Sequence, residues 1–248
     1  MKKIQTISIR DEIRKSLLIF IKNMHESGEV KFPSEIAMAK DLGVSRIALR
    51  EVIKQFEQDG LIFSVHGRGT FLNKESMKMK VRLTPAVEFE QAIRDSGYKA
   101  TVTLVSVSTG FPPEALATSL SMSQLEKVVT AKKVFLADGK PVIFCEDLFP
   151  LSLLGEQELV EKELTVSTFE YLLEKAGIII VHDIAEILAS STNRLKGFDQ
   201  CCLEKGKPLL LIRSVYYTAK HKPVMYVNAY MDTEYIKLSM LRRQDVYQ

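Results

Sequence analysis

Apolar side chains in the first third of the chain return every three or four positions. Ile9, Ile13, Leu17, Phe20, Ile21 and Met24 describe one buried face of a helix that ends near Gly28. Pro33 then precedes Ser34, a capping residue for a second helix, "SEIAMAKDL", that stops at Gly43. Ser45 caps a third helix whose end is signalled by Asp59 and Gly60. Two helices joined by so short a turn have the spacing of a helix-turn-helix.

Past Gly60 the period changes. "LIFSVHGRGTFL" holds two short strand-like runs around His66, Gly67, Arg68 and Gly69, which predicts a hairpin with a glycine-rich tip, a wing beside the helices. Residues 74–86 are polar, basic and aperiodic and lead past Pro85; they are expected to be a linker between a first domain, 1–73, and a second, 87–248.

The second domain alternates differently. A helix near Val87 to Ser96 precedes "YKATVTLVSVST", which has strand composition, and "VVTAKKVFLADGKPVIFCEDLFP" predicts a hairpin turning at Ala137, Asp138 and Gly139. A capped helix, "STFEYLLEKAG", leads into the β-rich run "IIIVHDIAEILAS", then a helix through Asn193 to Leu203, then two strands, "PLLLIRSVYYTA" and "PVMYVNAYM". Strands joined by short turns imply a largely antiparallel sheet with helices on one face. The expected fold class is α+β.

Composition narrows the classes. The chain has 248 residues, 46% hydrophobic and 26% charged, the make-up of a folded globular protein. No apolar run approaches the roughly 20 residues of a membrane helix, and the basic start is interrupted by Asp11 and Glu12, so a cytoplasmic location is expected. Cys145, Cys201 and Cys202 are odd in number and two are adjacent, against a disulfide framework. The four histidines lack metal spacing, and neither a metal nor any other cofactor is expected. Charge is more telling when divided: residues 1–76 carry 13 Lys or Arg against 10 Asp or Glu, and residues 77–248 carry 21 of each. The excess positive charge lies wholly in the first third, beside an anionic partner if it has one.

The third helix says what that partner is. Arg46, Arg50 and Lys54 are four residues apart and share one face, while Leu49, Ile53 and Phe56 line another. A solvated charged face is the bland alternative. The tight turn, the preceding helix and a wing carrying His66 and Arg68 favour DNA binding by a winged helix-turn-helix. The amino-terminal residues of such a helix lie nearest the base edges, and an arginine fork suits guanine O6 and N7. Ser34 and Ser45 cap their helices and are placed to touch phosphate. Gly67 and Gly69 permit close backbone approach, with Arg68 between them. Against an enzyme, there are no paired carboxylates at useful spacing, no Ser-His-Asp or Cys-His set and no phosphate loop.

"FPSEIAMAKDLGVSRIALREVIKQFEQDGLIFSVHGRGTFL", Phe32 to Leu72, resembles the winged helix-turn-helix of the GntR family of bacterial transcription regulators. The resemblance implies DNA contacts at Ser45, Arg46, Arg50, His66, Gly67 and Arg68. The family usually has arginine where this chain has Ile36, and small hydroxyl residues where it has Ile47 and Ala48. The part after the linker is similar to the UTRA effector-binding domain of the HutC subfamily, whose fold resembles chorismate lyase; "ADGKPVIFCEDLFP", "STFEYLLEKAG" and "EKGKPLLLIRSVYY" carry the likeness.

That second resemblance implies an effector pocket. The family's Arg-x-Arg, which often faces a phosphate or carboxylate, falls here at Lys133 and Phe135. The acidic residue of the next strand falls at Cys145, with Glu146 beside it, and a tyrosine of the helix start falls at Phe169. Ser167 and Glu170 form a capping box, and Ser167 and Thr168 with Lys133 are the alternative anion holders. The implied protein is a homodimeric repressor, at the nucleoid when bound, whose affinity for palindromic operator DNA changes with a small metabolite. A phosphorylated or carboxylated effector, a less polar one, and a pocket that has lost its effector all stay open, as does a rival lyase-like enzyme.

Overall fold

The computed structural model describes residues 9–83, 86–155, 157–165, 167–198, 201 and 204–242. It divides into two compact units, 1–86 with the chain end from Ser239, and Val87–Leu238.

In the first unit α1 (Ile9–Ser27) buries Ile13, Leu17, Ile21 and Met24; of the expected stripe, Ile9 at the helix start is instead 65% exposed and Phe20 is half-buried. Helix α2 (Glu35–Asp41) begins at Ser34, whose Oγ accepts the Ala37 N–H at 3.2 Å. Helix α3 (Arg46–Gln58) begins at Ser45, whose Oγ accepts the Ala48 N–H at 3.2 Å. Leu49, Val52, Ile53 and Phe56 of α3 join α1 and α2 in one core. At the far end of α3, Gly60 turns with φ +69°, a conformation that favours glycine. Strands β1 (Ile62–Val65) and β2 (Gly69–Leu72) form the hairpin. The chain before α2 adds to its edge, since the Phe32 N–H donates to the Thr70 carbonyl at 2.9 Å and the Leu72 N–H to that of Val30 at 2.7 Å.

The linker expectation needs correction. Residues 74–82 hold a short helix, α4 (Lys74–Met77), and a strand, β3 (Val81–Arg82). The Arg82 guanidinium donates to the carbonyls of Asp59 and Ser76, each at 3.0 Å, and the Asn73 amide to that of Gly60 at 3.0 Å. The Leu83 N–H donates to the Ser239 carbonyl. This segment is tied to the end of α3. Elements of four and two residues are too short to show a period.

The second unit is built on one antiparallel sheet of six strands, in the order β4-β5-β6-β9-β8-β7. Its strands are β4 (Ala100–Gly110), β5 (Val128–Ala137), β6 (Lys140–Pro150), β7 (Ile180–Ser191), β8 (Pro208–Thr218) and β9 (Pro223–Met231). The helices are α5 (Phe89–Asp95), α6 (Glu114–Ser119) and α7 (Thr168–Ala176). They do not share one face. Thr168 of α7 bonds to Lys133, and Phe89 of α5 meets Phe135. Helix α6 and its end instead pack Leu116 and Leu120 on Val128, Leu148 and Tyr226, on the opposite face. Nor do the described residues of 193–203 form the expected α-helix. Thr192–Arg194 is one 3-10 turn, and the rest of that span among the described residues is not α-helical. The side chains of Thr192 and Asn193 there bond to the backbone of Glu204, Gly206 and Lys207, a local alternative to helical pairing.

Candidate DNA interface and effector pocket

The exposed side of α3 carries Arg46, Ile47, Arg50, Glu51 and Lys54, which line a concave surface of about 480 Å³. Ile47 is 76% exposed, on the first turn of the helix and between the two arginines. Ile36, on the first turn of α2, is 61% exposed. Water gains nothing from two such isoleucines. The Arg50 fork is already oriented: its Nε and Nη2 donate to Oε2 of Glu35 on α2 at 3.0 and 2.6 Å, and that bond raises its pKa. Arg46 and Lys54 are exposed on the same side.

At the wing tip His66, Gly67, Arg68 and Gly69 are all exposed. Gly67 and Gly69 have φ of +72° and +102°, so the tip needs residues that tolerate positive φ. The structure therefore brings Ser45, Arg46 and Arg50 together on one helix, with His66, Gly67 and Arg68 on one hairpin of the same unit. Ser34 and Ser45 are committed as caps through their side chains.

The second site is the inverse. Lys133 on β5 is 2% exposed, and its Nζ donates to Thr168 Oγ1 at 2.7 Å and lies 3.1 Å from Asp147 Oδ2. Thr168 donates in turn to Asp147 Oδ2, and the Cys145 thiol to Asp147 Oδ1 at 3.0 Å. Lysine, acid, hydroxyl and thiol close a buried network in which the ammonium charge is matched. Burial, then the neighbouring Asp147 charge, pushes the Cys145 thiol well above its ordinary range, which is the reverse of a reactive nucleophile. Phe135 packs edge-on against Phe89 at 5.3 Å, and Phe169 against Tyr216 at 5.1 Å. Burial raises the Tyr216 phenol. Ser167 caps α7 by accepting the Glu170 N–H at 3.4 Å.

Glu146 does not belong with these groups. Lys133 pairs with Cys145, and Lys132 pairs with Glu146, so Glu146 faces the other side of the sheet and meets Lys132 at 3.2 Å. The acid that serves Lys133 is Asp147, two residues beyond Cys145 and hence on its face. The alternation within "CED" carries that signal, and the family's position for the acid passes over it. Tyr216 and Ser214 of β8 lie within "EKGKPLLLIRSVYY", yet the resemblance assigns neither to the pocket.

Among the described residues, no helix is long and apolar enough to cross a membrane, and no group of three or more His, Cys, Asp or Glu is placed to hold a metal ion.

Each of the two units matches a known family. Residues 9–72 match the model of bacterial regulatory proteins of the gntR family, and residues 95–237 that of the UTRA domain. The HTH-type transcriptional repressor NagR of Bacillus subtilis is 26% identical over 217 residues, covering 88% of this chain and 87% of its own. The histidine utilization repressor of Pseudomonas putida is 23% identical over 183 residues, covering 74% and 71%. The crystal structure of the possible transcriptional regulator YydK of Bacillus subtilis superposes with a TM-score of 0.74 at 20% identity, covering 96% of this chain and all of that one. The fold is thus shared along nearly the whole chain, and the protein belongs to the gntR family of bacterial regulators, in the group whose second unit is a UTRA domain.

Proposed function

We propose that this DNA-binding transcriptional regulator is a cytoplasmic repressor that binds a palindromic operator as a homodimer and releases or tightens it when an uncharged polar metabolite enters the UTRA unit. The observation that carries the DNA reading is the exposed row Arg46, Ile47, Arg50 and Lys54 on a Ser45-capped helix, with Arg50 held in place by Glu35. An arginine fork fixed before binding loses less freedom when it reaches a guanine edge. One such helix spans few base pairs, so two related by a twofold axis are the economical way to read a long site. Arg68 and His66 at the wing supply further contacts to the backbone or minor groove.

The experiment is selection of binding sites from a random duplex pool with the full-length chain. The expected product is an inverted repeat whose half-sites are centred about one or two helical turns apart. Enrichment of no sequence at all would defeat the reading.

The effector class follows from the buried network. The Lys133 charge is matched by Asp147, and the Thr168 hydroxyl bridges them. An incoming anion would have to displace Asp147 or meet its charge without a dedicated partner, which is costly in a buried site. Aromatic side chains occupy the positions of the family's second arginine and tyrosine. Thermal shift with matched sugars and sugar phosphates separates the classes: greater stabilisation by the uncharged member is expected, and a preference for the phosphate would contradict it.

A further inference from the structure

Isoleucine is an unexpected residue at the start of α3. Ile47 is 76% exposed, and β-branched side chains are among the less favourable helix formers, so neither burial nor local propensity accounts for it. A single apolar side chain on a surface is ordinary. Its setting is not. Arg50, Glu51 and Lys54 follow Ile47 at i+3, i+4 and i+7, and with Arg46 they line the concave side of α3. The one apolar member of that face therefore stands in the first turn, between the two arginines proposed as base readers.

The surroundings restrict what can cover it. Arg46, Arg50 and Lys54 are exposed. The acid on this side, Glu51, pairs with Arg10 of α1 at 2.6 Å, as Glu35 does with Arg50, which leaves the charge around Ile47 positive in excess. An apolar protein surface laid over it would strip water from three cations without replacing it. A polyanion that also presents an apolar group has no such cost. Duplex DNA does this in its major groove, where the C5-methyl group of thymine stands on the base edge.

The reach is suitable. From residue 46 to residue 50 the helix advances about 6 Å, at about 1.5 Å per residue, and successive base pairs are about 3.4 Å apart. A side chain between the two arginines thus meets a base within about two steps of a guanine that they contact. The gntR resemblance leads one to expect a hydroxyl residue here, which bonds to a phosphate or to a base acceptor. Isoleucine has no polar side-chain atom, so it distinguishes bases by apolar contact alone.

We propose that Ile47 is a specificity-determining residue that reads the C5-methyl group of a thymine beside a guanine contacted by Arg46 or Arg50. The inference rests on the operator reading of α3 and adds a base to it. Such a contact selects thymine over cytosine, whose ring carries a hydrogen in place of the methyl. It involves no charge, and so, unlike a phosphate contact, its contribution is indifferent to salt.

The experiment separates the methyl from everything else about the base. Duplexes carry the inverted repeat selected by the full-length chain, and each thymine of the half-site is replaced in turn, in both halves, by deoxyuridine, which keeps the base pairing and lacks only the methyl. At one position near a guanine, the replacement is expected to lower wild-type affinity about tenfold in fluorescence anisotropy. That ratio should stay constant between about 50 and 200 mM salt, while both affinities fall. Ile47→Ser, folded by circular dichroism, is expected to bind the thymine and deoxyuridine duplexes equally. Ile36→Ser removes the other exposed isoleucine, on α2, and is expected to keep the whole tenfold difference. A wild-type chain that ignores deoxyuridine at every position, or an Ile47→Ser chain that loses as much as wild type, overturns the methyl contact and leaves operator recognition standing. A chain that selects no sequence overturns operator recognition, and the methyl contact with it.

Discussion

The exposed side of α3 and the buried heart of the UTRA sheet both centre on a cation near an acid, and they use it in opposite ways. Arg50 lies on the surface with Glu35 holding two of its donors, and neighbouring Arg46 and Lys54 face outward. Lys133 is enclosed, and Asp147 and Thr168 complete its bonding. A surface pair in water is worth little to stability, and it leaves the remaining guanidinium donors free for another partner. A buried pair is held by the cost of leaving either member alone. The first arrangement suits recognition of a polyanion, and the second a stable, charge-neutral floor for a small ligand.

The sharpest way to break this contrast is to remove one cation from each site. Lys133→Ala leaves Asp147 buried and unpaired, and is expected to destabilise the protein by about 3 kcal/mol in urea unfolding. Lys133→Met with Asp147→Leu together should recover at least half of that loss, since neither charge is then left alone. Stability unaffected by Lys133→Ala would show that the pair is not the floor described. On the DNA side, Lys54→Ala should leave unfolding unchanged and weaken binding to all duplexes by severalfold, with the log–log salt slope reduced by about one.

Ile36→Arg gives a smaller effect of opposite sign. It places a cation at the start of α2, and affinity should rise by roughly tenfold at low salt, across operator and non-operator duplexes alike. The smallest effect concerns Glu88, next to α5. Burial first, and then Glu170 and Glu90, raise its pKa above the ordinary 4.5, so its ionisation opposes folding as the pH rises past that value. Glu88→Gln should therefore raise the melting temperature slightly at pH 7. The gain should vanish below about pH 4.5, where the carboxyl is protonated in folded and unfolded chains.

The first unit is readable almost residue by residue because its signals are local. Ser34 and Ser45 cap where the sequence places them, and the buried stripe of α3 is the expected one with Val52 added. Amphipathic helices of this kind announce themselves through spacing alone. The second unit hides what depends on distant pairing. That Glu146 and Lys133 face opposite sides follows from the β5–β6 register, and only strand alternation applied to both strands at once shows it. Placing α6 on one face and α7 on the other needs the whole strand order. Residues 193–203 look helical by composition, yet the side chains of Thr192 and Asn193 bond to the backbone of residues 204–207, which no periodicity reports.

The central claim is that α3 reads bases through an arginine already positioned by Glu35. Fluorescence anisotropy of the selected operator and of a scrambled duplex, with wild type and Arg50→Ala at two salt concentrations, tests it directly. The variant is expected to lose about tenfold to a hundredfold in operator affinity, to keep its fold by circular dichroism, and to bind the scrambled duplex nearly as before. Equal operator affinity in wild type and variant would contradict the claim.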